Sequence, residues 1–193
     1  MFTAKKLPQL QQLLPGMLGQ RNAYPASEVI FMSEARPMQP YTWKSLVTLL
    51  IATLAAGALV GFLTQQNSAF YDGLNKPSFA PPGWLFPVAW TLLYAAMASA
   101  MWFVLRAMGR DRFILLGLYI AQLAVNLLWP WLFFVQHALG LAFFWLILLW
   151  MLAAIMLWQF FRESKTAGWL LVPYQLWLTF AAVLNFCIAR LNP

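Results

Sequence analysis

The chain has 193 residues, of which 63% are hydrophobic and 9% charged, and its mean hydropathy is +0.69. A soluble domain normally carries about 25% charged residues, so this composition excludes an ordinary soluble surface and indicates that lipid surrounds most of the chain. Single copies of cysteine (Cys187) and histidine (His137) exclude a disulfide framework and a Cys/His metal cluster. We therefore expect no metal site.

Residues 1–42 are predicted to form a flexible or surface-lying extension that precedes the membrane domain. They contain five prolines, and glutamines interrupt the run LPQLQQLLPGML. This run is too broken for the apolar core of a signal peptide. We also predict Met32 or Met38 as alternative starts of a more compact chain.

Five apolar segments are each long enough to cross a hydrocarbon core of about 30 Å at about 1.5 Å per residue. None of them contains Lys, Arg, Asp or Glu, and they cover approximately residues 45–64, 84–105, 113–136, 138–161 and 167–189. We therefore predict an all-α integral membrane protein in which residues 43–193 form a five-transmembrane-helix bundle.

The basic residues are distributed unevenly between the two sides of these spans. Ten of the twelve precede the first span or lie in the second and fourth connections, and two lie on the other side. The positive-inside rule then places the N-terminus and these two connections inside. The same distribution accounts for the net charge of +7 and the pI of 9.9. Because the positive-inside pattern accounts for the basic residues, we expect no nucleic-acid partner.

The first connection, about Gln65–Gly83, is the only long one on the outer side of the predicted topology. Long connections in compact folds are often lids or binding loops. Pro81 and Pro82 fix φ just before the second helix, and Pro87 falls in its first turn, where proline removes no helical hydrogen bond. We expect these prolines to direct both the helix and the loop.

Three predicted spans carry stripes of aromatic and amide residues at helical spacing. The stripes consist of Trp90 and Tyr94 in the second span, of Tyr119, Gln122, Asn126, Trp129 and Phe133 in the third, and of Tyr174, Ala181 and Asn185, with Trp177 beside them, in the fifth. A buried amide needs a hydrogen-bond partner, so these faces point away from lipid. They either bond neighbouring helices to each other or line an aromatic-walled cavity with a few polar groups. Both interpretations remain open.

Small residues predict close helix contacts. Gly57 and Gly61 form a GxxxG motif in the first span, and Gly117 with Ala121 forms a GxxxA motif in the third. Such motifs let helix backbones approach, either within one chain or between two. We expect Gly117 and Ala121 to form a homodimer interface.

Several membrane chemistries are excluded. No lysine lies in a span, so a retinal Schiff base cannot form, and no carboxylate lies there, which argues against a proton-coupled pump. His137 lies at a connection, which argues against axial haem ligation. A tetrapyrrole held without metal ligation remains compatible with the sequence. No nucleophile–base pair or phosphate-binding loop is present.

Three long segments carry a specific resemblance. They are FYDGLNKPSFAPPGWLFPVAWTLLYAAM (70–97), GLYIAQLAVNLLWPWLFF (117–134) and LLVPYQLWLTFAAVLNFCIARLN (170–192). In this order, and on these spans, they resemble the TspO/MBR family of tryptophan-rich sensory and translocator proteins, which includes the peripheral benzodiazepine receptor. The resemblance covers roughly residues 45–192.

The resemblance implies a homodimer in the bilayer that binds porphyrins, such as protoporphyrin IX, and drug-like ligands in a pocket closed by the first loop. It implies that Tyr71, Trp90, Asn126, Trp129 and Trp177 line this pocket and that Pro81, Pro82 and Trp84 shape its rim. Together with the stripes, this gives a predicted ligand-binding set of Tyr71, Pro81, Pro82, Trp84, Trp90, Tyr94, Gln122, Asn126, Trp129, Phe133, Trp177, Ala181 and Asn185. No cofactor is expected beyond the tetrapyrrole ligand.

The resemblance also leaves functional alternatives. Members are described as transporting, disposing of or sensing tetrapyrroles. Some bacterial members degrade protoporphyrin with light and oxygen, a reaction attributed to tryptophans that match Trp90 and Trp177, which would make these two catalytic. A dimeric scaffold is a further alternative. Phe186 stands where the sterol motif of animal members has tyrosine, which argues against sterol binding. We expect a protein of a bacterial cell membrane.

Overall fold

The computed structural model describes residues 42–64, 68–107 and 112–193. The predicted N-terminal extension, apart from residue 42, lies outside the described residues, as do the alternative starts Met32 and Met38. Residues 65–67, at the start of the first connection, lie outside as well. We call the described part of this connection, residues 68–83, the outer connection, after the predicted topology.

Six α-helices follow one another along the described chain. They are α1 (Trp43–Thr64), α2 (Ser68–Gly73), α3 (Leu85–Ala107), α4 (Arg112–Pro130), α5 (Leu139–Glu163) and α6 (Lys165–Leu191), and a π-helical turn, Trp131–Val135, extends α4. All except α2 are long and apolar enough to cross a membrane. The predicted five-span, all-α architecture is confirmed, and each span begins and ends within two residues of its predicted bounds.

The five long helices form a bundle in which the first helix, α1, buries few of its side chains. α5 and α6 share the most extensive contact, α3 packs against α6, and α4 packs against α5. α1 packs chiefly against α3 and only lightly against α4. Because successive helices run in opposite directions, the end of α1 and the start of α3 lie at one end of the bundle with α2. We call this the loop end.

Two local features set the tight and irregular parts of the bundle. Ser164 alone joins α5 to α6, and its hydroxyl oxygen caps α6 by accepting a hydrogen bond from the backbone N–H of Ala167 (3.3 Å). α4 ends at Pro130, because proline has no N–H to donate to the helix, and the chain continues as the wider π turn. The π turn gives α4 an irregular end at the loop end of the bundle.

The outer connection lies across the loop end and is held at both sides. The ring of Phe70 stacks on His137, between α4 and α5, with centroids 3.9 Å apart. At the other side the Asn192 side chain, just after α6, accepts from the backbone N–H of Asn75 (3.0 Å) and donates to its carbonyl (2.9 Å). The connection is therefore tied to two separate places in the bundle.

Candidate functional site

A cavity of about 550 Å³ opens at the loop end, between α1, α3 and the irregular end of α4. Its walls are mostly apolar and aromatic, and they consist of Leu54, Gly57, Ala58, Val60, Gly61, Thr64, Tyr71, Asp72, Gly83, Phe86, Pro87, Trp90, Thr91, Tyr94, Trp129, Pro130 and Phe134. Small-molecule sites usually have volumes of about 300–1,000 Å³ and this kind of lining. The cavity thus has the size and character of a ligand site.

The slight contact between α1 and α4 leaves the space for this cavity. In the middle of α1, Thr53 is buried and its hydroxyl shares a 2.6 Å hydrogen bond with the hydroxyl of Tyr119 on α4. One turn further, a Cβ on Gly57 would overlap the ring of Tyr94, so glycine is needed for α1 to approach α3. Around Gly61 no neighbouring atom lies within 4 Å of a Cβ position. Beyond Gly57, α1 therefore has no close neighbour at Gly61, and the cavity occupies this space.

The aromatic wall on α3 is built in two layers. Trp90 and Tyr94 line the cavity, one helical turn apart, with ring centroids separated by 5.4 Å. Trp177 of α6 is not among the lining residues and lies behind Trp90, edge-on, at a centroid distance of 6.4 Å. Its buried indole N–H has no hydrogen-bond partner among the described residues. Trp177 therefore backs the wall that Trp90 presents to a ligand.

A buried polar network below the cavity joins three helices. The hydroxyl of Tyr94 donates to Oδ1 of Asn126 (2.7 Å), and Nδ2 of Asn126 donates to the hydroxyl of Tyr174 (2.8 Å). Nε2 of Gln122 donates to the same Tyr174 hydroxyl. All four side chains are buried. Asn126 and Gln122 thus bond α3, α4 and α6 together, and neither lines the cavity.

A second polar contact fixes Trp129, whose ring lines the cavity. Its indole N–H donates to the carbonyl of Ala142 (3.1 Å) and to Oδ1 of Asn185 (3.3 Å), and Nδ2 of Asn185 donates to the carbonyl of Leu139 (3.0 Å). Beside this contact lies a small cavity of about 20 Å³, lined by Tyr71, Phe86, Trp129, Phe133, Phe134, Ala181, Leu184, Asn185 and Ile188. Tyr71, Phe86, Trp129 and Phe134 separate it from the large cavity, since they line both.

The outer connection supplies the rim. Tyr71 is buried, and its hydroxyl donates to the carbonyl of Pro81 (3.3 Å). The ammonium of Lys76 lies 4.6 Å from the centre of the Tyr71 ring and donates to the carbonyls of Tyr71 (2.9 Å) and Asp72 (3.2 Å). Burial, and to a lesser extent the Asp72 carboxylate, raises the pKa of the Tyr71 phenol. The phenol therefore stays protonated and keeps its hydrogen bond at neutral pH.

The structure divides the predicted ligand-binding residues into three groups. Those that line the large cavity are Tyr71, Trp90, Tyr94 and Trp129. Those that lie behind or below it are Gln122, Asn126, Phe133, Trp177, Ala181 and Asn185, of which Phe133, Ala181 and Asn185 line the small cavity. Pro81, Pro82 and Trp84 line neither, although Gly83 between them lines the large one. Ligand binding by this set stays a prediction.

Several lining residues were missed by the sequence reasoning. Asp72, Phe86 and Phe134 lie in the segments that carry the family resemblance, but they carry no amide or helical stripe that would single them out. Gly61 was recognised as half of a helix-packing motif, whereas the structure assigns packing to Gly57 and leaves Gly61 facing open space. The sequence motif therefore singled out Gly61 but did not predict that it lines the cavity.

The predicted dimer interface lies on the outer face of α4. Gly117 and Ala121 are both exposed, and a Cβ on Gly117 would have no neighbouring atom within 4 Å. Dimerisation through these two residues stays a prediction.

The described residues contain no group of three or more His, Cys, Asp or Glu side chains that could hold a metal.

Comparison with known proteins identifies the family. The model of the TspO/MBR family matches residues 48–191, which is most of the chain. The chain belongs to the TspO/MBR family. Over 150 residues it is 40% identical to the tryptophan-rich sensory protein of Cereibacter sphaeroides, with 78% of this chain and 92% of that protein covered. The resemblance inferred from the three sequence segments is confirmed.

TspO/MBR relatives come from distant organisms. The chain is 37% identical over 141 residues to the translocator protein of Homo sapiens, covering 70% of this chain and 83% of that protein. It is 36% identical over 150 residues to the tryptophan-rich protein TspO of Archaeoglobus fulgidus, covering 76% and 96%. Family membership and these names indicate a receptor-like role for a multi-pass membrane protein, and these names describe a sensor and a translocator rather than an enzyme.

Proposed function

We propose that this protein is a membrane receptor that binds a tetrapyrrole, such as protoporphyrin IX or a haem-related compound, and takes part in its transport, disposal or stress- and oxygen-linked regulation. The observation that carries the proposal is the aromatic-walled cavity of about 550 Å³ beneath the outer connection. Trp90 and Trp129 line this cavity and supply indole rings on which a planar ligand can stack, and Tyr71 and Gly83 of the outer connection line it as well. The ligand needs no metal coordination by the protein and no additional cofactor.

The experiment is a titration of the purified protein with protoporphyrin IX, followed by quenching of tryptophan fluorescence. A stacked aromatic contributes roughly 0.5–1.5 kcal/mol beyond the area that it buries. Trp90→Ala should therefore weaken binding by at least about tenfold, since 1.4 kcal/mol is a decade in affinity. The matched control is Trp158→Ala, because Trp158 is an exposed tryptophan on α5, where the cation of Arg162 covers its ring at 5.0 Å.

Two results would count against the proposal. Absence of saturable binding to the wild-type protein would remove it altogether. Equal losses from Trp90→Ala and Trp158→Ala, in variants that keep their thermal stability, would mean that the aromatic residues at the cavity act only in packing.

A second candidate function is light- and oxygen-dependent porphyrin degradation. The edge-on pair of Trp90 and Trp177 favours it, because it places two indoles within 6.4 Å of each other beside the cavity wall. Illuminated protoporphyrin should then disappear only when oxygen is present. Trp90→Phe should keep much of the binding and abolish turnover, and retention of full turnover by this variant would argue against an indole-dependent reaction.

We further propose that the protein is a homodimer in a bacterial cell membrane, with its N-terminus inside. Gly117 and Ala121 on the exposed face of α4 support the dimer, and Gly117→Leu should shift cross-linking toward monomer.

The uneven distribution of basic residues supports the orientation. A reporter that is active only in the cytoplasm should be silent at the C-terminus, and a strong signal would reverse the orientation.

A further inference from the structure

The polar groups around the large cavity are mostly occupied by the protein itself. The hydroxyl of Thr64 donates to the carbonyl of Val60 (2.9 Å), and that of Thr91 donates to the carbonyl of Pro87 (2.8 Å). The hydroxyls of Tyr71 and Tyr94 are likewise used as donors, as described above. These four groups can offer a ligand lone pairs but not a proton.

Two lining groups keep their full hydrogen-bonding capacity. Within the described part of the chain, the carboxylate of Asp72 and the indole N–H of Trp90 have no hydrogen-bond or ion-pair partner. Trp90 is only partly buried, and its N–H is not enclosed by protein atoms. The cavity therefore presents one uncommitted donor, on α3, and one uncommitted anionic acceptor, on the outer connection.

The charge of Asp72 is not balanced by a cation on the cavity wall. Asp72 is the one charged residue among the lining residues that the structure describes. Lys76 is nearby, but its ammonium is held by two backbone carbonyls and by the Tyr71 ring, and it does not line the cavity. Burial raises the pKa of the Tyr71 phenol most, and the neighbouring Asp72 carboxylate raises it further. A ligand group at this part of the lining therefore contacts the exposed carboxylate of Asp72 and not the ammonium of Lys76.

Negative charge at the rim discriminates between ligands of the same shape. Two like charges a few ångströms apart repel more strongly beside a low-dielectric wall than in water. A ligand carboxylate beside Asp72 is therefore disfavoured, whereas a positive charge or an N–H or O–H donor is favoured. The free N–H of Trp90 complements this by offering a donor to an acceptor atom of the ligand.

We propose that Asp72 is a specificity-determining residue, which makes the cavity select planar aromatic ligands that are neutral or cationic at the end beside α2 over ligands that are anionic there. This inference rests on the tetrapyrrole-binding function proposed above. It predicts that a porphyrin with esterified acid groups is a better ligand than the same porphyrin as the free dicarboxylic acid, and that Asp72 causes the difference.

The test compares protoporphyrin IX with its dimethyl ester on three forms of the full-length protein. Each ligand is titrated against wild type, Asp72→Asn and Glu163→Gln, and the change in Kd caused by each substitution is compared between ligands. This comparison cancels differences in how the two porphyrins partition into detergent. Glu163→Gln is the matched control, because it removes the same charge from an exposed residue at the end of α5, opposite the loop end.

We expect Asp72→Asn to tighten binding of the free acid by about fivefold relative to the ester, a change of about 1 kcal/mol. Asp72→Glu should retain the wild-type preference, and Glu163→Gln should leave the ratio unchanged. An equal response of acid and ester to Asp72→Asn, or the same shift from Glu163→Gln, would overturn the inference while leaving tetrapyrrole binding intact. If neither porphyrin binds any form, the proposed function fails, and the inference fails with it.

Discussion

The two sides of this bundle are packed very differently. α6 buries ten residues, among them Tyr174 and Asn185, and α5 buries seven, among them Phe160 and Met156. α1 has the same kind of composition and is nearly as long, but it buries only Thr53 and Thr64. Most of the side chains of α1 face lipid or the cavity. Most of the buried side chains therefore lie in α3 to α6, and α1 covers one side of them, chiefly through α3.

This difference explains where the candidate site lies. A cavity in the middle of α3–α6 would remove contacts from the part of the structure that depends on them most. Between α1 and α4 few contacts exist to be lost, so space there costs little stability. Regions of low local stability are also those that can move to admit a ligand. We call α3–α6 the packed side, and α1 with the space between it and α4 the loose side. The packed side holds most of the buried side chains, and the loose side contains the cavity.

The largest expected effect comes from breaking the packed side. Phe160 on α5 has no exposed surface. Phe160→Ala should lower the free energy of unfolding by about 3 kcal/mol, the lower end of the values for a buried phenylalanine. We take the lower end because helices that separate in a bilayer expose this side chain to lipid and not to water. Thermal denaturation in detergent measures this loss. Phe144→Ala is the control, because Phe144 is 70% exposed on the same helix.

The affinity of the same variants for protoporphyrin IX tests whether the lost packing affects the cavity. Below the lowered denaturation temperature, Phe160→Ala should keep its affinity for protoporphyrin IX, because Phe160 does not line the cavity. Equal destabilisation by Phe160→Ala and Phe144→Ala would contradict the contrast between the two sides. So would a large loss of affinity in a folded Phe160→Ala variant.

The next effect comes from filling the loose side. A side chain at Gly61 would meet no protein atom within 4 Å of its Cβ and would project toward the cavity. Gly61→Leu should therefore weaken protoporphyrin IX binding by about tenfold or more through occlusion, at little cost in stability. Fluorescence titration and thermal denaturation of the same samples separate the two effects.

Gly140→Leu is the matched control for this substitution. Gly140 lies on the exposed face of α5, also has no neighbouring atom within 4 Å of a Cβ position, and does not line the cavity. If Gly61→Leu binds porphyrin as tightly as Gly140→Leu does, the space beside Gly61 is not where the ligand lies.

Much of this contrast could be predicted from sequence, because it follows from periodicity and composition. The five spans required only long apolar runs, and the structure places Tyr119, Gln122 and Asn126 on the inner face of α4, as their spacing predicts. The pattern could not say whether an inward amide binds a neighbouring helix or a ligand. That depends on the distance between helices, and here the Tyr94–Asn126–Tyr174 contacts use both ends of the amide.

The rim was harder to predict, because it depends on contacts between distant parts of the chain. Nothing in the local sequence of Asn75 or Asn192 indicates that they meet, 117 residues apart. The π turn after Pro130 also escapes a helical pattern, since it shifts the register of the residues that follow. Trp177 was expected at the cavity because it is beside the α6 stripe, but Trp90 and Phe86 stand in front of it.

The smallest expected effect concerns the attachment of the rim to the packed side. The Asn192 side chain holds both backbone groups of Asn75 and also donates to the carbonyl of Ile188 (2.8 Å), which fixes its orientation at the end of α6. Through this contact the outer connection, which covers the loose side, is fastened to the most deeply packed helix. Asn192→Ala should release that edge of the connection without disturbing the bundle.

Each lost hydrogen bond is worth about 0.5–1.5 kcal/mol, and these are exposed, so about 1 kcal/mol in total is a reasonable expectation. If the connection must open for a ligand to pass, protoporphyrin IX should associate and dissociate about fivefold faster, with little change in Kd. Stopped-flow fluorescence measures both rates.

Asn75→Ala should act more weakly, because the two shortest contacts use backbone atoms of Asn75 that the substitution keeps. The control is Gln136→Ala, an exposed amide at the same end whose side chain makes no hydrogen bond among the described residues. Unchanged rates in a folded Asn192→Ala variant would mean that ligands enter elsewhere, and the thin seam between α1 and α4 would then be the route to test.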